Sequence, residues 1–187
     1  MSRNEISANR ATPTDELRPI IKSQLHAALV TLRDAVDQWS DDLWLDDTPP
    51  NAFWQIAYHA TFIAHVYLHP TFDTFRPWSG HQANVQQPDG LRAPADGDSS
   101  LPMLPDPYTR AQVLQFCNIC DGMVDGAVDS FDLDSWDCGF SWYPDMSKLE
   151  HQFVSIRHIQ HHAAQLADRL RGASDVGIGW VKAVGKS

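Results

Sequence analysis

The sequence predicts an all-α fold, one four-helix bundle with a long loop between its second and third helices. Three observations carry that expectation. Apolar residues recur at three- and four-residue spacing in four separate segments, the period of a helix with one buried face. No segment has the pattern of a strand of convincing length. The 187 residues suit one domain, and 43% of them are apolar, enough to bury a core without disulfides or an obligatory metal.

The first helix is expected over 15–39. Leu17, Ile20, Ile21, Leu25, Ala28, Leu29, Leu32 and Val36 form its apolar face. Thr14 is the natural N-cap, with Asp15 and Glu16 in the first turn. The second helix is expected over 51–72, after Pro49 and Pro50, with Asn51 as its cap. Phe53, Ile56, Ala60, Ile63, Val66 and Tyr67 make it apolar on most sides, as in a buried bundle helix.

The third helix begins behind Thr109 and runs through Val113, Phe116, Cys120, Val124 and Val128 to about Phe131. Gly122 and Gly126 weaken it by about 1 kcal/mol each relative to alanine, which suggests that another backbone comes close there. The fourth helix starts at a capping box, Ser147 with Glu150 three residues on. It is expected to reach Arg171, with Arg169 and Arg171 in the last turn and Gly172 just beyond.

These helices place the bundle over 14–172, with tails over 1–13 and 173–187. The connection over 74–108 is rich in Pro, Gly, Asp and Gln, and a loop that long is usually functional or partly disordered. The shorter loop over 132–146 carries Trp136, Phe140, Trp142 and Tyr143.

Net charge is −10, which argues against nucleic acid and against an anionic membrane surface as partners. No apolar run reaches the ~18 residues that a membrane span needs. The N-terminal stretch has no apolar segment of signal-peptide type, so a cytoplasmic address is expected. The three cysteines do not read as a disulfide framework, and Cys117 and Cys120 read as small packing residues of the third helix.

Chemistry concentrates in the stretch RHIQHHAAQL, residues 157–166. With His158 at 0° on a helical wheel, His162 falls at about 40°, while the core-facing Ile159, Ala163, Leu166 and Leu170 fall at about 80–140°. His161 falls at about 300°, away from the core, and is expected at the surface. His158 and His162 therefore share a face one turn apart, a spacing that presents two imidazoles to one metal ion. The third ligand must come from another helix. His59 faces the bundle beside Ile56 and Ile63, whereas His65 and His69 point elsewhere and read as packing or surface groups. Three neutral imidazoles suit a divalent transition metal, zinc or nickel before iron or cobalt.

One inward histidine in WQIAYHATFIAH and the pair in HIQHHAAQL, on a four-helix frame, resemble the DinB-like family, which includes YfiT-type metal-dependent hydrolases. The signature there often reads HxxHHxGQL, and Ala164 stands in the glycine position here. The resemblance implies that His59, His158 and His162 are the metal ligands, with water or substrate in the remaining positions. Relatives in that superfamily include S-transferases and isomerases that use low-molecular-weight bacterial thiols.

Hydrolysis calls for a general base near the metal-bound water. The second helix carries no carboxylate near His59, and the fourth has none between Glu150 and Asp168. A thiol needs no such base, because the metal itself holds it as thiolate. The expected function is therefore a metal-dependent, thiol S-transferase-like enzyme acting on small molecules. The alternatives are a metal-dependent hydrolase and a non-catalytic bundle that binds metal or forms a homodimer through apolar helix flanks. Trp78, Trp142 and Tyr143 are expected to wall a substrate pocket, and Arg157 to bind a carboxylate.

Overall fold

The computed structural model describes residues 14–46, 51–83, 85 and 106–185. The expected tail over 1–13 and most of the polar connection lie outside them. The described chain is all-α. Its long helices are α1 (Arg18–Asp37), α2 (Phe53–Tyr67), α3 (Arg110–Ser130) and α4 (Lys148–Ser174).

Helix starts follow local chemistry. Thr109 Oγ1 accepts from the Gln112 N–H, and Gln112 Oε1 accepts from the Thr109 N–H, so α3 opens with a closed pair of caps. Ser147 Oγ accepts from the Glu150 N–H at the start of α4. Two expected starts differ. A 3-10 turn, Asp15–Leu17, precedes α1, and the Thr14 hydroxyl donates to Asp134 Oδ1 at 2.8 Å. At α2 the cap position is Ala52, not Asn51, and its N–H donates to Gln55 Oε1.

Helix ends differ too. α2 stops at Tyr67 instead of reaching Phe72, because Pro70 offers no N–H and disfavours helical backbone in the residue before it. α4 continues past Gly172 to Ser174 and ends where Asp175 turns left-handed, φ 55°. Gly122 and Gly126 meet no other backbone, since a methyl group built on either would have open space around it.

α1 packs against α3 and α4, and α2 packs against the same two helices. Side-chain contacts give the directions. Lys22 pairs with Asp129 and Arg110 bonds the Asp37 carbonyl, so α1 and α3 are antiparallel. Arg169 bonds the Asn51 carbonyl and Lys148 the Pro70 carbonyl, so α2 and α4 are antiparallel. Trp54 meets Tyr108 and Thr61 meets Cys117, so α2 and α3 run parallel.

That parallel pair explains the long connection. The chain must travel back along the bundle between Tyr67 and Arg110. Its described parts lie against α2 and α3: Phe75 on Phe62, Trp78 stacked on Phe116, and His81 bonded through Nδ1 to the Tyr58 hydroxyl. The segment after α4 does not hang free either. Val176 and Ile178 pack on the core, Gln24 bonds the Lys182 carbonyl, and the Val184 N–H donates to Ser23 Oγ. No helix among the described residues is long and apolar enough to cross a membrane.

Candidate metal centre

The seam between α2 and α4 brings three histidines together. His59 comes from the middle of α2, His158 and His162 from successive turns of α4. One nitrogen from each lies within 4.8 Å of the other two. His158 Nε2 stands 3.2 Å from His59 Nε2. Ring centroids are 5.2 Å apart for His59–His158, 4.9 Å for His59–His162 and 4.6 Å for His158–His162. All three rings are half-buried. Among the described residues no carboxylate or thiol joins the cluster.

The donor set fits a transition metal. Two nitrogens at the usual zinc distance in a tetrahedral site are about 3.3 Å apart, close to the His59–His158 separation. His162 Nδ1 lies 2.8 Å from Gln165 Oε1, an acceptor, so Nδ1 carries the proton and Nε2 keeps its lone pair. His158 Nδ1 is buried with no hydrogen-bond partner.

Burial keeps the two α4 rings neutral. The His158 pKa is pushed down to about 3, first by loss of solvent and then by the neighbouring His162 and His59. Burial pushes His162 down to about 4, against the bond to Gln165. Neutral imidazole is the form that binds metal.

The other expected site residues fall in different places. His161 is exposed, with its ring 5.0 Å from that of His162, and Arg157 is exposed on α4. Trp78 stacks on Phe116 on the α2–α3 side, away from the seam. Trp142 packs on Phe72 and Phe140. Tyr143 reaches the seam: its hydroxyl is 3.3 Å from that of Tyr67, whose ring lies 6.5 Å from His158. His65 is buried against Phe116, Phe75 and His69, and burial lowers its pKa to about 4. Cys117 and Cys120 are buried and free, and loss of solvent raises both thiols, Cys117 to about 11.

Sequence reasoning missed Tyr67, Lys148 and His151. His151 precedes His158 by seven residues, two turns on the same face, and that spacing was the available signal. Comparison with protein-family profiles, with curated proteins and with solved structures finds no match for this chain.

Proposed function

We propose that this chain is a metal-dependent enzyme of the DinB-like kind, which uses His59, His158 and His162 to hold one divalent metal ion, zinc or nickel, and transfers a small thiol to a small-molecule acceptor. The convergence of three imidazole nitrogens from two helices carries this reading. Each histidine has a definable part. Gln165 accepts from His162 Nδ1, which leaves the Nε2 lone pair to bind the metal. His158 is held neutral by burial. His59 supplies the ligand that ties α2 to α4.

A metal bound by three neutral ligands keeps its positive charge and an open position, where a thiol binds as thiolate near neutral pH. The all-imidazole cluster favours thiol transfer over hydrolysis, because no carboxylate stands among its members to deprotonate a water.

Metal content of the full chain tests this. The wild type, offered zinc and nickel, should retain about one equivalent after desalting, and His59→Ala and His162→Ala should lose it. The loaded wild type should then shift the thiol–thiolate equilibrium of an added alkyl thiol toward thiolate, read by ultraviolet absorption. A wild type that takes up neither metal, or variants that keep it, would overturn the reading.

A further inference from the structure

Buried polar side chains are unevenly spread. Among the described residues they are Ser23, Thr61, His65, Lys148, His151, Gln152 and Ser155, so the first turns of α4 hold four of the seven. Lys148, His151, Ser155, His158 and His162 fall within about 80° of one another on the wheel, one stripe facing the core. Such a stripe is costly unless each group has a partner.

Two of these groups lack what they need. His151 is fully buried, and neither ring nitrogen has a hydrogen-bond partner. Its ring stacks on Phe140 at 4.7 Å, with Tyr67 at 4.4 Å and Tyr143 at 5.8 Å. Lys148, 4% exposed, donates to the Pro70 and Cys138 carbonyls and lies over the rings of Phe131 and Phe140. Those bonds use two of its three N–H groups. Lys148 makes no ion pair within 4 Å among the described residues; Asp137 acts on it only from a greater distance, through its charge. The Tyr67 and Tyr143 hydroxyls share one long bond, which leaves one phenolic proton to donate elsewhere.

A buried cation, an imidazole without partners and a spare phenol donor together ask for an anionic acceptor. We propose that the α2–α4 seam beneath the histidine cluster is a carboxylate-binding site, formed by Lys148, His151, Tyr67 and Tyr143, which holds the acid end of the substrate. The site lies about 10 Å along α4 from His158. Half-buried Tyr143 stands on its loop side, its ring 5.8 Å from that of His151. Only the far end of the substrate, at the triad, depends on the metal reading above.

The test uses the full chain and a straight-chain carboxylic acid of roughly eight carbons, the length of that gap. Calorimetry on metal-free protein should show the acid binding and its primary amide failing to bind. His151→Phe, which keeps the stack on Phe140, should weaken binding about tenfold or more, and so should Tyr143→Phe. His151→Phe should also raise the thermal midpoint, since it removes two partnerless nitrogens. Equal binding of acid and amide, unchanged affinity in His151→Phe, or a lowered midpoint in that variant would each overturn the proposal. Zinc-loaded protein titrated with the same acid carrying a terminal thiol separates the two readings. Tighter binding than to the plain acid is expected. A protein that takes up no zinc yet binds the acid loses the metal reading and keeps the carboxylate site.

Discussion

At the scale of single residues, the ring of His162 is held through Nδ1, bonded to Gln165 Oε1, which leaves Nε2 with its lone pair for a metal. An outer partner of this kind fixes the tautomer and commonly contributes tenfold to a hundredfold in metal affinity. Gln165→Ala should therefore weaken zinc binding by about that factor without unfolding the protein, because Gln165 is exposed. Competition against a chelator measures it, and unchanged affinity would show that Gln165 does not set the ring. The triad could be read from sequence because both of its features are local: the i, i+4 pair on one helix and the inward register of His59 on another. The cluster around His151 could not. Its neighbours Tyr67, Phe140 and Tyr143 come from α2 and a loop, and no periodicity announces that they meet.

At the scale of elements, side-chain caps were legible and backbone interruptions less so. Thr109 and Ser147 act within three residues of themselves, so their roles follow from spacing alone. Apolar period carried the expected α2 through Pro70, although the missing N–H was decisive there. Gly122 and Gly126 face open space on α3, where the only cost of glycine is its freedom in the unfolded chain and its weak helix propensity. Gly122→Ala and Gly126→Ala should each stabilise the protein by about 0.5–1 kcal/mol, read from the urea midpoint. A loss of stability in either would mean that α3 needs the space. Lys148 ties three elements together at once, the end of α2, the α3–α4 loop and the start of α4. Nothing in the local sequence marked it as different from a surface lysine.

At the scale of the whole molecule, the bundle should lose stability in acid. His65 and His151 are buried away from the triad, and each has its pKa lowered to about 4 by loss of solvent. The unfolded chain takes up these protons near pH 6.5, before the folded chain does, so stability is greatest above that pH and falls toward pH 4. Each histidine should lose about 2 kcal/mol between pH 7 and pH 5. Urea unfolding of metal-free protein at the two values checks this, and His65→Phe should shrink the decline. A flat profile would show that these rings find partners on protonation. Helix count and core faces followed from hydrophobic period, but helix direction did not, because a period has no sense along the axis. The parallel α2–α3 pair became visible only through cross-helix contacts. It has a consequence for biosynthesis. The first two helices pack chiefly on α3 and α4 and not on each other. A chain emerging from the ribosome cannot bury its first two helices against each other as a hairpin. Their apolar faces wait for partners translated later, and the histidine cluster is completed only when His158 and His162 follow on α4. Any metal held by the three histidines can be taken up only after α4 has been made and docked on α2.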